Sequence, residues 1–115
     1  MKFNEDRLRS ALAGAWSLKT AKQWTPETPA AGQCNVTTVV VHDLFGGDIL
    51  KTSLPVYDVD HYYNRIDGVA VDLTDSQFSA PISYDDELSS RADAMQCVLD
   101  SEYETLRAAL LAHLQ

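Results

Sequence analysis

Residues 57–73 have the sequence YDVDHYYNRIDGVAVDL, in which two runs rich in β-branched and aromatic residues flank Asp67-Gly68. Asp-Gly between two such runs is a strong signal for a two-residue β-hairpin turn, because both turn residues must adopt positive φ angles. The sequence therefore predicts two antiparallel strands at residues 57–66 and 69–73.

The turn also fixes which side chains share a face of the hairpin. The predicted pairs are Ile66 with Val69, Arg65 with Ala70, Asn64 with Val71 and Tyr63 with Asp72. Because side chains alternate along a strand, His61 and Asp72 then lie on one face as a diagonal pair, with backbones about 7–8 Å apart. A slip of one residue would separate them. The other face carries Ile66, Val69, Val71 and Leu73, which we expect to pack inward against a terminal helix.

Residues 34–45, CNVTTVVVHDLF, contain no glycine or proline and are followed by Gly46-Gly47. The β-branched residues 39–41 are compatible with a strand. A 12-residue apolar segment with a glycine stop is nevertheless long for a strand, so we favour a helix that is buried on most sides.

The remaining segments predict helices at the two ends of the chain. Asn4 is a good N-cap for a first helix with an apolar stripe at Leu8, Ala11, Leu12 and Ala15. Residues 17–33 lose this periodicity and predict a long loop, and residues 49–54 predict a strand that stops at Pro55. A stripe at Met95, Leu99, Tyr103, Leu106, Leu110 and Leu114 favours one long C-terminal helix. A break remains open, since Ser101 and Glu104 would make a capping box.

These segments predict a single α+β domain spanning residues 1–115. A small antiparallel sheet packs with a central helix that bears Cys34, and with N- and C-terminal helices. The chain has 115 residues, a hydrophobic fraction of 45% and a charged fraction of 23%, as expected for one globular domain. No apolar run approaches the roughly 20 residues of a membrane-spanning helix, and the start lacks a signal peptide, so we expect no membrane partner and a cytoplasmic location.

The net charge of −8 disfavours a nucleic-acid partner and suits a neutral or basic protein partner, although it can serve solubility alone. Two cysteines, Cys34 and Cys97, give poor evidence for a disulfide in a cytosolic chain. The histidines do not cluster with them at metal-ligand spacing, and no phosphate-binding loop is present, so neither a metal nor another cofactor is predicted.

Cys34, His61 and Asp72 form the one plausible catalytic constellation. A carboxylate fixes the tautomer of a neighbouring imidazole, and a histidine so held can activate a thiol. The start of a helix, where Cys34 is predicted, favours the thiolate and offers free N–H groups to an oxyanion. The simpler interpretation makes Cys34 a small core residue. A redox-sensing role would need a second cysteine at short spacing, which is absent.

The other candidate bases and nucleophiles are less suitable. His42 lies about 12 Å from Cys34 along the same helix, which is too far for a hydrogen bond. Cys97 is interpreted as a packing residue of the C-terminal helix, and His113 as a solvated residue near the chain end.

Four motifs carry a resemblance to known families. Gly32-Gln33-Cys34 at a helix start resembles the nucleophile motif of transglutaminase-like and papain-like cysteine enzymes. The chain resembles the YunG-like family of small bacterial proteins more closely. This resemblance also includes the predicted helix end at residues 45–47, the motif HYYNR at 61–65 and the motif VDLT at 71–74.

The resemblance implies a minimal papain- or transglutaminase-like fold with Cys34, His61 and Asp72 as a triad. It makes Trp24 and Gln33 the candidate residues that support the oxyanion. The implied activity is hydrolysis, deamidation or acyl transfer on a protein or peptide amide. The alternative is a non-enzymatic protein-interaction module that retains the fold.

Overall fold

The predicted hairpin forms with the predicted register. The structure, a computed structural model, describes residues 1–115. Strands β2 (Val59–Ile66) and β3 (Val69–Val71) pair antiparallel, with Ile66 opposite Val69. The turn residues Asp67 and Gly68 have φ angles of 53° and 80°, as the turn requires.

The hairpin belongs to a four-stranded antiparallel sheet of order β3-β2-β1-β4. Strand β1 (Asp48–Leu54) pairs along its whole length with β2, and the two-residue strand β4 (Glu87–Leu88) covers the other edge of β1. The sequence did not predict β4, because two residues carry no periodic signal.

The predicted strand at 69–73 is two residues too long. The Asp72 carboxylate accepts the Thr74 N–H at 3.1 Å, and a short 3₁₀ helix follows at Asp75–Gln77. This local bond turns the chain away from the sheet. Val69, which we expected to face the core, is 66% exposed, because it lies at the tip of an edge strand.

Helix α2 (Cys34–Phe45) lies at the centre of the fold, as predicted. Its residues Val39, Val40 and Val41 are fully buried. The helix ends where the Gly46 N–H donates to the His42 carbonyl at 2.8 Å. At Gly47 a Cβ atom would lie 2.0 Å from the Arg65 carbonyl oxygen, so only glycine lets the chain pass β2 at this point.

Helices α1 (Glu5–Ala15) and α4 (Asp100–Leu114) pack together over one side of α2. The predicted cap is present, since Asn4 Oδ1 accepts the Arg7 N–H at 3.0 Å. The main core includes Leu8, Leu12, Val36, Val40, Ile66, Val71, Leu73, Leu106 and Leu110. The inward face of the hairpin therefore contacts the terminal helices, apart from Val69.

The prediction of one long C-terminal helix was wrong. A five-residue helix α3 (Arg91–Met95) and helix α4 are separated by residues 96–99. The break lies before the Ser101–Glu104 pair that we had considered, because the Glu102 carboxylate accepts the Leu99 N–H at 2.9 Å and so begins α4 at Asp100. The apolar stripe was misleading, since Leu99 is 57% exposed.

Four helices and a small antiparallel sheet confirm the α+β fold class. None of the helices has the length and apolar character needed to cross a membrane.

Candidate functional site

His61 and Asp72 form a buried pair on the face of the hairpin opposite Ile66, Val71 and Leu73. His61 Nε2 and Asp72 Oδ2 lie 2.7 Å apart, and the side chains are 2% and 6% exposed. The hairpin register explains the contact, because it places the two residues diagonally on one face.

The Asp72 carboxylate is held by further donors. The Tyr84 hydroxyl donates to Oδ2 at 2.6 Å, and the Thr74 N–H donates to Oδ1 at 3.1 Å. Burial opposes the charged carboxylate, but His61, Tyr84 and Thr74 outweigh it and lower the pKa of Asp72. Sequence reasoning missed Tyr84, because it lies in a loop without periodicity, 12 residues after Asp72.

The His61 ring is enclosed by two aromatic rings. Phe78 meets it edge-on with centroids 4.9 Å apart, and Tyr63 stacks at 6.0 Å. Burial favours the neutral ring, but the hydrogen bond and charge of Asp72 prevail, with a smaller contribution from Cys34, and raise the pKa of His61 to about 9. The imidazolium is therefore the prevailing form of His61 at neutral pH.

Cys34 opens helix α2 and its thiol contacts the His61 ring closely enough to contribute to that shift in pKa. The thiol donates to Asn35 Oδ1 at 3.2 Å rather than to the ring. Because Asp72 occupies Nε2, Nδ1 is the ring nitrogen available to the sulfur. The structure thus brings together Cys34, His61 and Asp72, the three residues that the sequence singled out.

Three backbone N–H groups are free at the start of α2, where Cys34 lies. Thr37 is the first residue whose N–H bonds back within the helix, to the Gln33 carbonyl, and no side chain caps this end. The N–H groups of Cys34, Asn35 and Val36 have no backbone acceptor. Such groups, with the helix dipole, favour an anion beside the sulfur.

Gln33 and Trp24, the two residues expected to support the oxyanion, lie away from the cleft in front of Cys34. The Gln33 side chain is fully buried, where its oxygen accepts the Thr20 hydroxyl at 2.8 Å and its nitrogen lies 3.5 Å from the Ser17 carbonyl. Trp24 packs against the main core, and its Nε1 is buried without a partner. Neither residue lines the cleft in front of Cys34.

That cleft has a volume of about 500 Å³ and lies between the 17–33 loop, the start of α2, the beginning of β2 and the α3–α4 connection. Gln23 forms part of its wall and makes no hydrogen bond within the chain. The Gln23 side chain lies over Gly32, where an added Cβ would be 2.4 Å from Gln23 Oε1 and where φ is +71°. Gln23 is therefore an exposed, unbonded amide in the wall of the cleft that Cys34 lines, which sequence spacing did not reveal.

The structure corrects the interpretation of Cys97 as a packing residue of the C-terminal helix. Cys97 is exposed and lines the cleft rather than packing within a helix.

The charged residues of the cleft are acidic. Asp60 and Glu102 contribute carboxylates to the wall, and no lysine or arginine lines it. The cleft therefore suits neutral or cationic groups better than anionic ones.

His42 and His113 lie outside the cleft, and His113 is exposed as expected. No group of three or more histidine, cysteine and acidic side chains is arranged to hold a metal ion.

Comparisons with known proteins agree with the resemblance to the YunG-like family. The model of the family described as "YunG protein" matches residues 4–115. The "Uncharacterized protein YunG" of Bacillus subtilis (strain 168) is 40% identical to the chain over 109 residues, which cover 95% of this chain and 93% of that protein. No solved structure gives a significant match.

Proposed function

The chain belongs to the YunG family, and we propose that it is a thiol-dependent enzyme that acts on protein or peptide amides. Cys34 is the nucleophile, His61 moves the proton, and Asp72 is the positioning residue for His61. The observation that carries the proposal is the buried 2.7 Å pair of His61 and Asp72 beside the Cys34 thiol. A buried, charged histidine is costly to maintain in a core that only needs packing.

The first step is attack of the Cys34 thiolate on a carbonyl carbon. The imidazolium of His61 favours the thiolate, as do the free N–H groups at the start of α2. The carbonyl oxygen gains negative charge, which those N–H groups and the Gln23 amide can stabilise.

In the second step the carbon–nitrogen bond breaks. His61 donates its proton to the leaving amine, and the acyl group remains on Cys34 as a thioester. Water or an amine then attacks the thioester, His61 accepts a proton from it, and the carbon–sulfur bond breaks to restore the Cys34 thiolate. Hydrolysis, deamidation and acyl transfer share the first step and differ in the leaving group and the acceptor.

The resemblance to papain-like and transglutaminase-like enzymes supports the same chemistry. It rests on Gly32-Gln33-Cys34 at the start of a helix and on the two strands that carry His61 and precede Asp72. A glutamine side chain or a peptide bond is the substrate class to test first. The absence of lysine and arginine from the cleft fits such neutral groups.

A burst experiment with p-nitrophenyl acetate tests the proposal. We expect one equivalent of p-nitrophenolate per chain and an acetyl group on Cys34 in the wild type and in Cys97→Ser. Cys34→Ser removes the burst, and His61→Ala slows it about 100-fold or more. Equal labelling of both cysteines, or a rate indifferent to His61, would refute the proposal and favour the interaction module.

A further inference from the structure

Cys97 has no part in the proposed chemistry, yet it lines the same cleft as Cys34. Cys34 enters the cleft from the start of α2, and Cys97 enters it from the connection between α3 and α4. Both thiols are free; Cys34 is half-buried and Cys97 is exposed. Although the two cysteines lie far apart in the sequence, both line the same cleft.

A short series of contacts ties the two segments together. The Cys34 thiol donates to Asn35 Oδ1 at 3.2 Å, and Asn35 Nδ2 donates to the Ala94 carbonyl at 2.9 Å. Ala94 lies three residues before Cys97 in the chain. Tyr62 also lines the cleft, and after burial and the nearby carboxylates, Cys97 contributes to raising the pKa of its hydroxyl.

A disulfide requires Cα atoms roughly 4.4–6.8 Å apart, so one cysteine must be able to adjust. The backbone of Cys97 makes no hydrogen bond with another backbone group. It lies in the exposed four-residue connection 96–99 rather than in a helix. Gln96, Val98 and Leu99 each make a backbone hydrogen bond to α3 or α4, so Cys97 is the residue of the connection that can adjust without breaking one.

We propose that Cys34 and Cys97 form a reversible intramolecular disulfide when a peroxide oxidises the site. The Cys34 thiolate attacks the peroxide, a sulfur–oxygen bond forms, and the oxygen–oxygen bond breaks to release hydroxide or alkoxide. The Cys97 thiolate then attacks the Cys34 sulfur, and the oxygen leaves as water after gaining a proton. The sulfurs lose two electrons in total, and the peroxide gains them.

The disulfide would close the cleft and mask the nucleophile, and it would protect Cys34 from irreversible oxidation. The peroxide step rests on the proposed activation of Cys34 by His61. The location of both cysteines in one cleft is independent of that activation, so the two ideas can be tested separately.

The first arm uses diamide, a thiol oxidant that does not need an activated cysteine. We expect the wild-type mass to fall by two hydrogens, with no thiol left for N-ethylmaleimide and one peptide pair joined through Cys34 and Cys97. Dithiothreitol restores both thiols. If the two cysteines link only between chains, or fail to link, the proposed disulfide is wrong.

The second arm uses hydrogen peroxide with dimedone, which traps sulfenic acid. We expect the wild type to form the disulfide with little dimedone adduct, whereas Cys97→Ser accumulates the adduct on Cys34 several-fold. Equal adduct in both proteins would overturn the resolving role of Cys97. If His61→Ala leaves the peroxide rate unchanged while diamide still forms the disulfide, the activation of Cys34 fails and the disulfide stands.

Discussion

His61 is enclosed by Asp72, Cys34, Tyr63 and Phe78, and its charge depends on which of these neighbours prevails. Burial alone would lower the pKa of His61, whereas the Asp72 carboxylate raises it. The ionisation of His61 is therefore the most direct readout of how Asp72 acts on the site.

Asp72→Asn tests this dependence. We expect the pKa of His61 to fall well below about 9, because burial then acts without the largest opposing contribution, that of the carboxylate. NMR titration of the His61 ring measures the change. Asp75→Asn is the matched control, since Asp75 lies nearby on the surface and pairs with Arg9. A pKa that stays near 9 in Asp72→Asn would contradict the assigned role of Asp72.

Gln23 can be tested by comparing two reactions of the same thiol. Acylation by p-nitrophenyl acetate develops an oxyanion, whereas alkylation by iodoacetamide does not. We expect Gln23→Ala to slow acylation about 10–100-fold and to leave alkylation unchanged.

Gln77→Ala is the matched control, because Gln77 also lines the cleft but its amide is bonded to Thr74. If Gln23→Ala slows both reactions equally, Gln23 affects access or folding rather than the oxyanion.

The contact between His61 and Asp72 followed from sequence because a hairpin turn fixes its own register. The position of Gln23, the proposed oxyanion donor, did not. Gln33 directly precedes Cys34, and adjacent side chains at a helix start point in different directions, so Gln33 turns into the core. Gln23 reaches the cleft through the path of an irregular loop, which no periodic pattern encodes.

At the scale of elements, the passage from α2 to β1 depends on Gly46 and Gly47. Both have φ of +80°, but a Cβ atom meets nothing at Gly46 and meets the Arg65 carbonyl at 2.0 Å at Gly47. Substitutions at the two positions therefore distinguish the cost of backbone strain from the cost of a close contact.

We expect Gly46→Ala to cost about 1–3 kcal/mol of unfolding free energy from backbone strain alone, because its φ of 80° and ψ of −154° lie in a region that is essentially restricted to glycine. Gly47→Ala should cost about 2 kcal/mol more, because the connection at Gly47 and the Arg65 carbonyl of β2 must move apart. Urea denaturation of both variants measures the difference. Equal costs would show that the close approach of Gly47 to β2 does not limit the fold.

The sequence predicted α2 well and the C-terminal helices poorly, for a physical reason. Helix α2 is apolar over its length and is followed by two glycines, so its ends are marked. In the C-terminal segment the apolar stripe stays in phase across the break, although residues 96–99 are not helical. That break brings Cys97 to the cleft.

At the scale of the whole molecule, the pair of His61 and Asp72 links stability to pH. The pKa of His61 is raised in the folded state. Its contribution to the free energy of unfolding is therefore present in full below about pH 6.5 and is lost as pH rises through about 9. The pKa of Asp72 is lowered, so its contribution is present above about pH 4 and is lost as pH falls.

We therefore expect the difference in unfolding free energy between wild type and His61→Gln to shrink by about 3 kcal/mol between about pH 6 and pH 10. Urea denaturation at a series of pH values measures it. A difference that stays constant across this range would show that His61 does not gain a proton on folding.

The central claim is that His61 activates Cys34, and the pH dependence of alkylation by iodoacetamide tests it most directly. Wild type and His61→Ala are compared, with Cys97→Ser in both. We predict that the His61-containing protein reacts about tenfold or more faster near pH 6.5 and that the two rates converge near pH 10, where His61, whose pKa is about 9, has lost its proton. Identical profiles in the two proteins would contradict the account.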